Sequence, residues 1–176
     1  TVKTINSWWD PHRLYRQNDL GLSYTETLDH TEKLLEDSIK LRLQADVPLG
    51  AFLSGGIDSS LICAMASKIH SQKFQTYSIG FENSAFDETS QAALTAQAIG
   101  SDHHKFIVTA KDALDIIPQI PHICDEPFAD SSIIPTTLMA RMARKNVTVA
   151  LGGDGGDEVF CGYERYIWGA KIAEWK

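Results

Sequence analysis

The chain has 176 residues, 43% of them hydrophobic and 22% charged, which suits one packed domain and argues against intrinsic disorder. Its formal charge of −7, from 23 acidic and 16 basic residues, argues against nucleic acid or an anionic membrane as the main partner. No apolar run approaches the ~18 residues that a bilayer span needs. Cys63, Cys124 and Cys161 lie far apart with no C-x-x-C pair, so they fit neither a disulfide framework nor a zinc cage, and the cytoplasm is the expected compartment. The chain begins at Thr1 rather than Met and stops at Lys176 within a helix-like stretch, so a fragment is expected.

In chain order, Thr1–Leu20 has no clear period, and residues 1–22 read as a lead-in or linker. Ser23-Tyr24-Thr25-Glu26 spells a capping box, and the pattern predicts a helix from there to about Ala45. Val47–Leu53 reads as a strand and Ser59–His70 as a helix. Phe74–Phe81 is rich enough in β-branched and aromatic residues for a second strand. A helix over Glu88–Ile99 is stopped by Gly100, and His103–Val108 is a third strand. Lys111–Ile117 is a short helix ended by Pro118, Ser132–Lys145 is a helix with Pro135 in its first turn, and Val147–Leu151 is a fourth strand. This alternation predicts an α/β fold, a parallel twisted sheet with helices on both faces, with ligands bound outside the carboxyl ends of the strands. The chemistry is therefore expected in the loops after Leu53, Phe81, Val108 and Leu151.

Two of those loops carry chemistry. Leu53-Ser54-Gly55-Gly56-Ile57-Asp58-Ser59-Ser60 joins tandem glycines, three hydroxyls and a helix start, an anion cradle of the phosphate-binding kind. No lysine follows the last glycine, so it is not the nucleotide loop of the common ATPases. Asp58 would repel phosphate unless a divalent cation intervened, and so reads as a Mg2+ ligand. The plain alternative is an ordinary strand-to-helix turn with Asp58 near the helix start. The second loop, Gly152-Gly153-Asp154-Gly155-Gly156-Asp157-Glu158, packs four glycines and three acids into seven residues, a composition that suits neither core nor helix. Its acids could bind Mg2+ or hold a cationic group, and the plain alternative is an acidic turn.

His103 and His104, adjacent on a strand, should point to opposite faces and not share a metal. Cys63 reads as buried packing, the Asn146-Val147-Thr148 sequon as chance, and Trp8, Trp9, Trp168 and Trp175 as core or interface.

The first loop resembles the pyrophosphate loop of the ATP-pyrophosphatases (PP-loop enzymes, adenine nucleotide alpha-hydrolase-like and Rossmann-like in fold), which cleave ATP between its α- and β-phosphates. Thr76–Phe81, Phe86-Asp87-Glu88, Asp125–Ser132 and Gly153–Tyr163 narrow the match. Together they resemble the synthetase domain of glutamine-dependent asparagine synthetase from about Ser23 to Tyr166, making residues 23–176 the first part of such a domain, incomplete at its C-terminus.

The resemblance implies that the backbones of Leu53, Ile79, Gly152 and Gly153 hold adenine and ribose. It implies that Ser54, Gly55, Gly56, Ser59 and Ser60 cradle the pyrophosphate, and that Asp58 and Asp157 coordinate Mg2+. Asp154, where the family often has glutamate, and Tyr163 would lie near the reacting carboxylate. The implied ligase reaction adenylates a carboxylate, aspartate in the main members, and transfers the acyl group to ammonia. A sugar acid, a β-lactam or peptide precursor, or a non-catalytic nucleotide-binding module are the alternatives. The expected partners are thus ATP, Mg2+, an amino-acid carboxylate and ammonia, with no nucleic acid or membrane and with a homodimer open for the full-length enzyme. The family's glutaminase half starts with a cysteine, whereas this chain starts Thr1-Val2. The family's downstream lysine has no counterpart either, since Lys171 and Lys176 lie too close to the loop. Little or no synthetase activity is therefore expected of the 176 residues alone.

Overall fold

A computed structural model describes residues 7–10, 20–82, 88–127 and 129–174. Phe86, Asp87, Phe128, Trp175 and Lys176, which the motif reading touched, lie outside these residues. The chain divides into two units, Thr1–Asp37 and Ser38–Lys176.

The first unit holds the start of helix α1 (Tyr24–Arg42). The expected capping box is present: Ser23 N–H donates to Glu26 Oε2 at 2.8 Å and Glu26 N–H donates to Ser23 Oγ at 3.3 Å. Hydrogen bonds from Ser23 hold the Glu26 carboxyl below its usual range.

The second unit is built on four parallel strands: β1 (Leu49–Phe52), β2 (Gln75–Phe81), β3 (Asp102–Val108) and β4 (Val149–Leu151), in the order β3-β2-β1-β4. β1 lies between β2 and β4, and Leu49, Gly50 and Ala51 are all buried, which explains why this strand reads as a continuous apolar run rather than an alternating one. The helices between the strands are α2 (Ile57–Ile69), α3 (Thr89–Ile99), α4 (Ala110–Ile116), α5 (Ile120–Cys124) and α6 (Ile133–Ala143), and α7 (Gly156–Phe160) and α8 (Glu164–Glu174) follow β4.

Both faces of the sheet are covered, as the alternation predicts. On one face, Tyr77 packs with Ala143 and Val147, while Ile79 and Phe81 join Val108, Ile116, Leu138 and Met142 beneath α4 and α6. The opposite face of β2 presents Thr76 and Ser78. Thr76 Oγ1 lies 2.8 Å from Ser101 Oγ, which donates to the Ala96 carbonyl at the end of α3. α2 packs on β1 and against α3. Cys63 on α2 is buried, and its thiol donates to the Phe52 carbonyl at 3.7 Å.

Two boundaries differ from the sequence reading. α4 ends at Ile116, ahead of Pro118, but the helical path goes on: a 3-10 turn (Ile117–Gln119) and α5 follow, because Pro118 and Pro121 each sit at the start of a new turn, where a missing N–H costs nothing. Residues 156–158, expected to be non-helical, form the first turn of α7. Gly155 stands before them at φ 91°, and Asp157 and Glu158 are favoured there by the positive helix end. Of the tryptophans expected in core or interface, Trp8 is 95%, Trp9 57% and Trp168 56% exposed, with the Lys171 ammonium 4.9 Å over the Trp168 ring.

Candidate active site

Chain connectivity locates the site. From β1 the strands run outward through β2 to β3, and the chain then returns to place β4 on the other side of β1. The switch point lies between β1 and β4, where an open parallel sheet leaves a crevice at its carboxyl edge. The two glycine-rich loops leave these two strands.

The first loop is internally braced. Leu53 N–H extends the ladder by one bond, donating to the Tyr77 carbonyl at 2.8 Å. Ser59 Oγ, on the first turn of α2, lies 2.8 Å from Ser54 Oγ and accepts from Ser54 N–H at 3.2 Å. Gly56 N–H donates to Ser54 Oγ at 3.2 Å. Gly56 is the N-cap of α2 in extended conformation, and no side chain caps the helix start. The first-turn amides of α2 thus keep no side-chain acceptor, which is the arrangement an anion requires. Ser60 Oγ reaches Thr95 Oγ1 of α3 at 3.5 Å, and Gly55 lies against Gln91 and Glu88.

The second loop closes on the first. A Cβ on Gly153 would stand 2.9 Å from the Ser59 amide nitrogen, and one on Gly156 would stand 2.5 Å from the Asp58 carboxylate. Only glycine permits both approaches, which accounts for the glycine density here. Asp58 therefore lies against the residue that precedes Asp157. The Asp157 carboxylate lies against Gly162, and the Asp154 carboxylate folds over Gly152. Among the described residues, no group of three or more His, Cys, Asp or Glu side chains converges as a metal cluster.

Ile79 occupies a different place. Its side chain belongs to the core cluster with Val108 and Ile116. The β1–β2 register ends at Phe52↔Tyr77, whereas the β2–β3 register runs on to Phe81↔Val108. Residues 78–81 consequently overhang the end of β1, beside the first loop.

Tyr163 lies beyond α7 and donates to Glu158 Oε1 at 2.6 Å. That bond holds the Glu158 carboxyl below its usual range and raises the Tyr163 phenol. The Arg165 guanidinium sits 3.9 Å from the Tyr163 ring centroid. Glu158 and Arg165 were missed as partners of Tyr163 because the chain reverses at Cys161, whose φ of 59° nothing in the residue type announces. In the Asp125–Ser132 segment, Asp130 Oδ1 accepts from Ser132 N–H at 2.8 Å, which lowers the Asp130 carboxyl.

His103 and His104 point to opposite faces, as strand geometry requires. His103 Nδ1 and Nε2 meet Thr76 Oγ1 and Ser78 Oγ at 3.0 and 3.2 Å, while His104 stacks on Tyr77 with centroids 5.1 Å apart. No helix among the described residues is long and apolar enough to cross a membrane.

Comparison with known proteins agrees with this architecture. The asparagine synthase family model matches residues 30–175. A candidate glutamine-hydrolysing asparagine synthetase of Methanocaldococcus jannaschii is 42% identical over 146 residues, which cover 82% of this chain and 28% of that protein. Asparagine synthetase (glutamine-hydrolysing) 1 of Bacillus subtilis is 42% identical over 130 residues, covering 74% of this chain and 20% of that protein. This chain therefore spans about a quarter of the length of such relatives. Among solved structures, NMN synthetase from Francisella tularensis shares the fold, with a TM-score of 0.50 at 17% identity over 81% of this chain and 59% of that one. The PP-loop type of parallel sheet and the match over residues 30–175 lead to one conclusion: the chain belongs to the asparagine synthase family.

Proposed function

We propose that this chain carries the ATP site of an amide-forming ligase that activates the side-chain carboxylate of aspartate as an acyl-adenylate and passes it to ammonia. The observation that carries this reading is the meeting of the two loops at the switch point, with Asp58 against Gly156 and Ser59 against Gly153. A cradle of amides closed by a carboxylate suits a polyphosphate that arrives with a divalent cation.

In this reading, the backbones of Leu53, Ile79, Gly152 and Gly153 hold adenine and ribose, supported by the overhang of residues 78–81 past β1. Gly55, Gly56 and the amides opening α2 take the pyrophosphate. Ser54 and Ser59 fix the shape of that cradle through their mutual hydrogen bond, and Ser60 completes it. Asp58 and Asp157 fit Mg2+, which binds through one or two carboxylates and otherwise through phosphate oxygens and water, so a dense protein cage is not needed. When bound, magnesium supplies neutralisation of the charge that grows on the departing pyrophosphate. Asp154 and Tyr163 are assigned to the side of the site where the carboxylate reacts.

A substrate carboxylate oxygen bonds to the α-phosphorus as the α–β anhydride bond breaks and pyrophosphate leaves. The nitrogen of ammonia then bonds to the acyl carbon, the acyl–oxygen bond to AMP breaks, and the surplus proton passes to solvent. The protein contributes position and electrostatics rather than a covalent intermediate. Ammonia from a glutaminase belongs to the proposal, since the relatives are named glutamine-hydrolysing. A cytoplasmic setting belongs to it as well, with Cys63, Cys124 and Cys161 all free thiols. Nucleotide binding is assigned to these residues, and turnover to a protein of the relatives' length.

Pyrophosphate release from ATP by a protein of the relatives' length that carries these residues, measured against a panel of carboxylates with ammonia present, tests the reading. Release with aspartate and formation of asparagine is the expected result. Release with a sugar acid or β-amino acid but not with aspartate would move the same machinery to another substrate. Mg·ATP binding with no release for any carboxylate would leave a nucleotide-binding module.

A further inference from the structure

Three acids, Asp154, Asp157 and Glu158, crowd residues 154–158, a local charge that disfavours an anionic substrate unless cations offset it. Asp157 is assigned with Asp58 to the cation, and Glu158 accepts from the Tyr163 hydroxyl. A positive group held beside this turn is Arg165, in the first turn of α8. Its guanidinium lies 3.9 Å from the Tyr163 ring centroid and 5.8 Å from that of Tyr166. Stacking on an aromatic face holds the guanidinium plane while its N–H edge stays available for hydrogen bonding. Among the described residues, no carboxylate lies within ion-pair distance of Arg165, although its charge is close enough to help lower Glu158. The side chain is exposed, and Tyr163 anchors it next to the acidic turn.

We propose that Arg165 is a specificity-determining residue that binds a second carboxylate of the acceptor substrate, so that the site selects a dicarboxylic amino acid over a monocarboxylic one. The inference rests on the proposed aspartate-activating site. In aspartate the side-chain carboxylate reacts, and the α-carboxylate is the second anion. A planar guanidinium can take it through two parallel N–H···O bonds, a geometry the ammonium of lysine lacks. The Tyr163–Glu158 hydrogen bond acts as the support that sets the ring and therefore the guanidinium plane.

β-Alanine is aspartate without the α-carboxylate, which makes it the matched probe. Equilibrium binding of aspartate and of β-alanine, each with Mg2+ and a non-hydrolysable ATP analogue, is compared for the protein and for Arg165→Ala and Arg165→Lys. Mg·ATP binding is measured in parallel. The protein is expected to prefer aspartate. Arg165→Ala should lose about 10- to 100-fold in aspartate affinity, the range for a bidentate charge-assisted pair, with β-alanine and Mg·ATP unchanged. Arg165→Lys should fall between the two. Since Arg165 is exposed, both variants should melt with the unmodified protein. Unchanged aspartate affinity in Arg165→Ala would overturn the proposal, as would a loss that falls on Mg·ATP instead. A protein that binds Mg·ATP without preferring aspartate overturns this inference alone. One that does not bind Mg·ATP overturns the site reading as well.

Discussion

The Asp58 carboxylate lies against the backbone of Gly156, so closely that a Cβ at residue 156 would stand 2.5 Å from Oδ2. The contact joins the first turn of the helix that follows β1 to the first turn of the helix that follows β4. It brings the two acidic, glycine-rich strand ends into one site.

Gly156→Ala separates binding from folding. Within a helix, alanine is favoured over glycine by about 0.5–1 kcal/mol, and the clash falls on the movable end of a side chain rather than on backbone. Stability should therefore stay within about 1 kcal/mol of the unmodified protein, while Mg·ATP affinity falls about tenfold as Asp58 is displaced. Gly169→Ala in α8, where an added Cβ meets nothing within 4 Å, is the control and should leave binding unchanged. Isothermal titration and urea unfolding on the same samples would read both quantities.

Cys63 should be chemically silent in the folded protein. Burial pushes its thiol up to about 12 from 9.0, and it is fully buried, whereas Cys161 is exposed and Cys124 half-buried. A thiol reagent at pH 8 should label Cys161 fastest and Cys124 more slowly. Cys63 should react only after denaturation. Because its folded value is raised, the stability tied to the neutral thiol is present below about pH 9 and is lost as pH rises toward 12. Rapid native labelling of Cys63 would contradict the packing of α2 on β1.

His103 sets the opposite slope. Burial, and then the charges of His104 and Lys105, hold its imidazolium below the usual 6.5, and both ring nitrogens are occupied by Thr76 and Ser78. The unfolded chain then binds the proton more readily than the folded one. This contribution is present above pH 6.5 and is lost as pH falls through the folded value. The melting temperature should fall between pH 7.5 and 5.5, and His103→Gln should flatten that dependence.

Much of the architecture was legible in the residues because each element carries a local signal. Apolar and β-branched runs marked β1, β2 and β4, Ser23 and Glu26 marked the start of α1, and Gly100, at φ 67°, marked the end of α3. The glycines of both loops pointed to close backbone approach, and Gly153 and Gly156 make it. Features set by tertiary geometry were hidden. The helical turn over Gly156–Phe160 follows Gly155 in a left-handed conformation, and a run of four glycines and three acids does not signal a helix. The pairing of Tyr163 with Glu158 and Arg165 depends on the reversal at Cys161. The Thr76–His103–Ser78 network depends on strand register, which the residue order alone does not give.

Asp58 is proposed to serve the nucleotide through a divalent cation. ATP affinity measured with Mg2+ and again with excess EDTA, for the protein and for Asp58→Asn, tests it most directly. The substitution is expected to lower affinity about 10- to 100-fold with Mg2+ and to leave the weaker EDTA value unchanged or slightly improved, since a repelling carboxylate is gone. Equal affinity of the two proteins in the presence of Mg2+ would contradict it.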